Sequence, residues 1–556
     1  MIHFAESSAR FFSVSSWDYI VVGAGSAGCA VANRLSADPD ARVLLLEAGG
    51  VDRSLYIRMP AAIIRAIGNP RLDWCYQAEP DPSRNDRVDL WPAGKTLGGS
   101  SSINGMLYVR GADYDFDRWA AEGCSGWSYA DVLPFFRRLE STPLGENRYR
   151  GRTGPVRTAA LRTTHPLAHT FVQAAVESGL TLNEDYNGRT QEGVAYTEVN
   201  QQRGRRYNAA RAYLHPVRRR RNLAIRTHSV CRRLLFENGR CMGVEYRKGS
   251  RLHRAEAGRE VILCAGAIAS PKLLMLSGIG PAGQLRDVGI EIVKDLPGVG
   301  ANLQEHPEGM VGIDVNVSTY NTEINSWKIV LHGLNWLLFG RGPATSPYPH
   351  AVAFIRSAPS EPRPDIQVQL GPYAFSFSEE GVIPYDRPAI SAAINVSHPR
   401  SRGSIRLRSA DPDAPPVISH ALLDDDDMGR LIAGCRQVRE ILNGPAFAPY
   451  RIGERLPGPE VQSGDDWRDY LRRTAFLGYH PVGTCKMGTD RLAVTRSDLT
   501  VRGVDGLRVA DASVMPSLTS GNTNATAMMI GERAADFIRQ GQPEGRRNDK
   551  GEDEPW

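Results

Sequence analysis

An apolar run, Tyr19-Ile20-Val21-Val22, leads straight into Gly23-Ala24-Gly25-Ser26-Ala27-Gly28, and no other stretch constrains the fold of this chain as tightly. A helical pattern from Cys29 to Leu35 follows, then a second apolar strand, Arg42 to Leu46, that closes on Glu47. The order is β-α-β, which predicts a Rossmann-like parallel sheet. In such a turn the first glycine permits a tight bend, the second lets a pyrophosphate approach the backbone, and the third lets helix pack on strand. Phosphate oxygens then meet the free N–H groups and positive dipole end of a helix. Glu47 lies 19 residues beyond Gly28, the spacing at which a carboxylate accepts the two ribose hydroxyls of an adenosine. The unit predicts a bound dinucleotide, held by Gly23, Gly25, Ser26, Ala27, Gly28 and Glu47. It does not choose between FAD and NAD.

Two further blocks make that choice. Gly94-Lys95-Thr96-Leu97-Gly98-Gly99-Ser100-Ser101-Ser102-Ile103-Asn104-Gly105-Met106-Leu107-Tyr108 is dense in small residues and has no helical period, so its backbone can lie flat against a planar ligand. Gly266-Ala267-Ile268-Ala269-Ser270-Pro271-Lys272-Leu273-Leu274-Met275-Leu276-Ser277-Gly278-Ile279-Gly280 is the second. With these blocks the chain resembles the glucose-methanol-choline (GMC) family of flavoprotein oxidoreductases over roughly Asp18 to Ile538, and the run ending at Ala267 looks like the family's strand that returns to FAD. The resemblance implies FAD contacts from Ala48, Gly99, Asn104, Gly105, Met106, Leu107, Val230, Ala265, Gly266, Asp511, Ala512 and Thr523.

The chemistry is expected in Gly478-Tyr479-His480-Pro481-Val482-Gly483-Thr484. Oxidising an alcohol requires its hydroxyl proton to leave, and a histidine, with an ordinary pKa near ~6.5, is suited to take it. The family's flavin-facing histidine falls on His480, and its catalytic partner, counted from Asp511-Ala512-Ser513, falls on Asn522. Asn524 is the alternative partner. The helix from Asn524 to Ile538 would aim its positive end at the flavin C2 carbonyl. The reaction implied is FAD-dependent oxidation of a primary alcohol, with hydride passing to flavin N5 near Asn104 and electrons passing on to oxygen or a quinone-type acceptor.

Where choline oxidases of the family bond FAD covalently through a histidine, this chain has Ile103, so the resemblance implies non-covalent FAD. For the substrate, Glu308 occupies the position that holds a trimethylammonium group in choline oxidases, Tyr479 matches an aromatic of that cage, and a carboxylate beside an aromatic face suits a cation. Gln369 stands where those enzymes place a histidine. Glu308 could equally be a structural acceptor near the adenine end of the site. A cationic alcohol such as choline is therefore one alternative; hydroxynitrile lyases, which share the fold and keep FAD without net oxidation, are another, and a non-catalytic flavin binder would have no reason to keep His480 with Asn522.

At 556 residues the chain exceeds one ordinary core. The expected architecture is α/β with an α+β second domain: an FAD domain of discontinuous chain path, 1–160, 203–310 and 478–541, and a substrate domain, 161–202 and 311–477, of antiparallel sheet flanked by helices. Leu223 to Phe236, Cys241 to Arg247 and Leu252 to Cys264 read as three antiparallel strands, and Trp327 to Phe339 as an aromatic-rich helix. The polar 542–556 tail is expected to be disordered. No apolar run reaches 18 residues, so no transmembrane segment is predicted, and Met1 to Ser16 lacks the features of a secretory signal. The 8 cysteines are scattered without a C-x-x-C, which argues against a zinc site or disulfide framework and for a cytoplasmic setting, with peripheral attachment to a membrane left open. A net charge of +5 without interleaved aromatics argues against nucleic acid. The Arg218 to Arg221 run is read as solvated surface, and Asp424 to Asp427 as an exposed helix start rather than a metal site. Oligomeric state is not legible.

Overall fold

The computed structural model describes residues 14–324, 327–378 and 381–541. The 542–556 tail and the start of the Met1 to Ser16 segment lie outside the described residues. Two seven-stranded sheets organise the rest.

The first sheet has the strand order Leu223–Arg226, Val43–Leu46, Val14–Val22, Arg251–Leu263, Arg240–Lys248, Ser229–Glu237, and Leu507–Val509 also pairs with Arg251–Leu263. Its inner strands are parallel: Ile20 registers with Leu44 on one side and with Val261 on the other. Val43 to Leu46 are buried at every position, as both-face burial of a central parallel strand requires. Three widely separated parts of the chain thus build one sheet.

The run read as one strand from Leu223 to Phe236 is two. Leu223–Arg226 pairs parallel with Val43–Leu46, whereas Ser229–Glu237 pairs antiparallel with Arg240–Lys248. The break comes at His228, whose backbone takes φ +54 and donates to Gly49 O, which ends one ladder and redirects the chain into the next.

Helix α1, Ser26–Leu35, packs on this sheet; its Gly28 is needed there because a Cβ would stand 2.0 Å from Gly23 O. Helix α2, Gly266–Leu276, follows the Arg251–Leu263 strand. Helices α3, Lys328–Phe339, and α4, Asp425–Asn443, belong to the middle of the chain. Helix α5, Asn524–Gln540, lies against α1, with Gly531 facing Ala27. Glu532 on α5 is fully buried and joins Arg34 on α1 at 2.8 Å, Arg138 at 3.0 Å and the Tyr213 hydroxyl at 2.9 Å.

The second sheet has the order Arg451–Leu456, Pro307–Val315, Ala389–Val396, Ile366–Gly371, Ala351–Ile355, Gly193–Tyr196, with Phe476–Leu477 also pairing with Pro307–Val315. All of its pairings are antiparallel. Residue 310, an expected domain limit, falls inside the Pro307–Val315 strand of this sheet.

Two charged runs differ from expectation in detail. Asp424 caps α4 as anticipated, but Asp427 is buried and accepts from the backbone of Arg400 and Ser401 and from Arg430. Arg220 is not merely solvated, since it donates to Asn33 O and Ser36 Oγ behind α1.

Candidate active site

A cavity of about 810 Å³ runs from the first sheet to the second. Its first-sheet end carries the glycine turn, Glu47, Ala48 and Val230; its other end carries Glu308, Gln369, Tyr479, His480 and Asn522. Of the residues expected to contact a cofactor, Gly28 and Gly99 do not line it. Gly28 sits behind the turn, and a Cβ on Gly99 would stand 2.7 Å from Gly25 Cα, so both act by letting backbones close on one another.

The donor set fits a dinucleotide. The N-cap residues of α1 and α5 are Gly25 and Thr523, both on the cavity wall, and neither gives a side-chain cap. Two positive helix ends are therefore left for anionic groups. Ser26 Oγ donates to Asn524 Oδ1 at 2.6 Å and ties these ends together. Glu47 holds Ala24 N at 3.0 Å and Gly49 N at 2.8 Å, one on each oxygen, which leaves lone pairs for a diol. Burial pushes its carboxyl up to about 7 against those two donors. Asp511 lines the cavity too, but its oxygens are engaged by Gly266 N, Ser270 Oγ and Ser513 N, so it shapes the start of α2. Asn104 is held by Arg206, a buried guanidinium that donates to Asn104 Oδ1 at 2.7 Å and to Ile57 O at 3.0 Å. At Gly105 and Gly266 a Cβ would meet nothing within 4 Å.

His480 stands at the centre of a directed hydrogen-bond chain. His306 Nε2 lies 3.0 Å from Ser397 O, and a carbonyl only accepts, so that nitrogen carries the His306 proton. His306 Nδ1 is then an acceptor, and His480 Nδ1, 3.0 Å away, must donate to it. The second nitrogen of a neutral His480, Nε2, is thereby an acceptor, and Asn522 Nδ2 donates to it at 2.9 Å. Burial, with the neighbouring His306, holds His480 well below the ordinary histidine range, and burial takes His306 down to about 4. Both rings are neutral near pH 7.

Backbone geometry fixes this pair. Glu305 accepts from His480 N and from His306 N, and burial lifts its carboxyl well above the usual range. Tyr479 takes φ +62 to bring His480 round. At Gly478 a Cβ would stand 2.9 Å from His480 Nδ1 and 3.0 Å from His306 Cβ, so only glycine leaves room for the two rings.

Asn522 is held in turn. Its Oδ1 accepts from Gln367 at 3.1 Å, Gln367 accepts from Asn395 at 3.1 Å, and Asn395 also donates to Glu308 at 3.2 Å. Glu308, Asn395 and Gln367 stand in register across three adjacent strands of the second sheet. Gln369 Nε2 approaches Glu308 at 3.4 Å. Glu308 therefore sits beside His480 and away from Glu47 and the adenosine end. Asn524, the alternative partner of His480, is committed to Ser26 and Asn200.

His306, Gln367 and Asn395 were not among the residues singled out from sequence. One of them carried a readable signal: Gln367 is two residues before Gln369 on the Ile366–Gly371 strand, and alternation along a strand puts such pairs on one face.

A parallel-sheet fold whose glycine turn and two uncapped helix ends share one cavity with a histidine–amide pair has the arrangement of a dinucleotide-dependent oxidoreductase. A family model described as GMC oxidoreductase matches residues 17–308, and a second of the same description matches 399–531. The chain is 44% identical over 546 residues, 97% of its length and 98% of the relative's, to the oxygen-dependent choline dehydrogenase of Sinorhizobium fredii. Among solved structures it superposes on pyridoxine 4-oxidase from Mesorbium loti with a TM-score of 0.87 at 32% identity, covering 95% of this chain and all of that one. Formate oxidase of Aspergillus oryzae, solved in a study of its FAD modification, matches with a TM-score of 0.87 at 25% identity over 95% and 98% of the two chains. The chain belongs to the GMC oxidoreductase family and is an FAD-dependent oxidoreductase acting on CH–OH groups. No helix among the described residues is long and apolar enough to cross a membrane.

Proposed function

We propose that this chain oxidises a primary alcohol to its aldehyde, with His480 as base and Asn522 as the group that orients the hydroxyl. The observation that carries the reading is the chain from Ser397 through His306 to His480, which leaves His480 Nε2 as an acceptor on the cavity side. An alcohol entering between His480 and Asn522 donates to Nε2 and accepts from Asn522 Nδ2, exchanging their mutual hydrogen bond for two. Transfer of its proton to Nε2 makes an alkoxide, which releases its C–H hydrogen far more readily. Bound FAD supplies the acceptor for that hydrogen and its electron pair, and the electrons leave to oxygen or a quinone-type acceptor. The first sheet with α1, α2 and α5 holds the cofactor, and the second sheet roofs the substrate.

FAD is held non-covalently in this reading, because the cavity position of the attaching histidine is Ile103. Acid precipitation should release all yellow colour into the supernatant; colour kept in the pellet would refute this.

The substrate end favours a cationic alcohol. Glu308 shares the cavity with Tyr348, Tyr373, Phe375 and Tyr479; Tyr348 and Tyr373 each pack within 6 Å of Phe375, at 5.5 and 5.7 Å between ring centres. A carboxylate rimmed by aromatic faces suits a quaternary ammonium group, and the relative cited above is named for choline. Anaerobic mixing with choline and with neutral primary alcohols tests both levels: bleaching by choline at the lowest concentration supports the cationic reading, and bleaching by neutral alcohols alone would remove it. A flavin left oxidised by every primary alcohol would overturn the assignment in favour of lyase chemistry.

A further inference from the structure

Helix α3 is turned inside out for a water-soluble protein. Trp327, just before it, is 72% exposed, and Val330, Leu337, Leu338 and Phe339 are each more than half exposed, while Trp336 is its one fully buried large side chain. Exposed apolar surface of this extent marks a docking face.

The charge around it says what docks. Trp336 Nε1 donates to Gly204 O at 2.7 Å, which brings the turn carrying Arg203 and Arg205 onto the end of the helix. The Arg205 guanidinium lies 5.1 Å over the Trp336 ring, Arg341 follows Gly340 directly, and the charges of Arg58 and Arg211 bear on Arg205. Arg203, Arg205 and Arg341 form no ion pair among the described residues. A second copy docked symmetrically would bring a second set of the same cations into the interface, whereas an anionic bilayer complements apolar face and cations together. At 12 residues the helix is about 18 Å long, too short to span a bilayer and suited to lie in its interface.

The face is also continuous with the mouth of the cavity. Ile64 lines the cavity and is 40% exposed, and its Pro60–Arg65 turn reaches the helix through the intervening Pro343–Thr345 turn.

We propose that α3, flanked by Arg203, Arg205 and Arg341, seats this protein peripherally on an anionic lipid surface. The proposal stands whatever alcohol the active site takes. The test is co-sedimentation of the holoenzyme with phosphatidylcholine vesicles that contain or lack phosphatidylglycerol. Binding should be roughly tenfold stronger with the anionic lipid and should fall with added salt. Leu338→Glu with Phe339→Glu should abolish it on both vesicles, and Arg203→Glu with Arg341→Glu should remove the anionic preference, each with flavin reduction unchanged as evidence of correct folding. A wild-type protein that stays in the supernatant, a Leu338→Glu, Phe339→Glu variant that still binds, or an Arg203→Glu, Arg341→Glu variant that keeps the anionic preference would overturn the proposal. So would a dimer in light scattering that the Leu338→Glu, Phe339→Glu protein fails to form, since the face would then belong to a second copy.

Discussion

His480 can act as a base only if its proton sits on the far nitrogen, and that is decided by His306 rather than by His480 itself. His480→Ala should leave FAD bound and slow flavin reduction by ~10²–10⁴, measured by anaerobic stopped-flow. His306→Ala should be milder, roughly tenfold to a hundredfold, as when the outer partner of a working imidazole is lost. It should act on the reduction rate more than on alcohol binding, because the ring can then adopt the wrong tautomer. Glu308 supplies a pH signature. Burial lifts its carboxyl to about 7, so below that pH it is increasingly neutral and loses its attraction for a cation. The kcat/KM for choline should rise as pH rises through about 7, whereas a neutral alcohol should show no such limb, since His480 is already neutral there. In Glu308→Gln the limb for choline should vanish; its persistence would place the titrating group elsewhere. At this scale His480 and Asn522 were readable because each sits in a linear motif. His306 and Asn395 were not, because the contacts that bring them to the site join segments far apart in sequence, and Gln367 was legible only through its alternation with Gln369.

The contact between α1 and α5 depends on one residue lacking a side chain. A Cβ on Gly531 would stand 2.5 Å from Ala27 O, and backbone on both sides leaves nothing to yield. Gly531→Val should force the helices apart, cost about 1–3 kcal/mol in the way overpacked cores do, and lower FAD occupancy, read as the ratio of visible to ultraviolet absorbance. Full occupancy with an unchanged melting temperature would show that the helix ends do not need this spacing. The glycine turn, α1 and the strand after it were legible because apolar period and turn residues agree with one another. The Leu223 to Phe236 run misled because its two strands are separated by no more than Thr227 and the left-handed residue His228. Asp427 misled in a similar way: a carboxylate at a helix start looks solvated until two backbone N–H groups from another segment reach it.

Across the whole molecule, the cavity wall draws on both sheets, and the first sheet draws on residues near 20, near 260 and near 508. Cofactor and fold should therefore be strongly coupled. FAD binding to the folded protein alone should raise the melting temperature of the apoprotein in calorimetry, by an increment that grows with free FAD. Flavin release and loss of secondary structure should then coincide on heating; release well before unfolding would mean that the two sheets come apart independently. The discontinuous path was anticipated from the order of the motifs, but residue 310 proved to lie within a strand, since the switch between sheets is set by pairing rather than by composition. That path has a consequence during synthesis. At ~5–20 residues per second, a ribosome that has made the glycine turn needs roughly half a minute to two minutes to reach the strand and helix that complete the site. The nascent chain must pass that interval with the Arg251–Leu263 strand lacking its Leu507–Val509 partner and the cavity lacking its last wall, so its demand for chaperones should persist until that strand and helix emerge, and FAD can be captured only then.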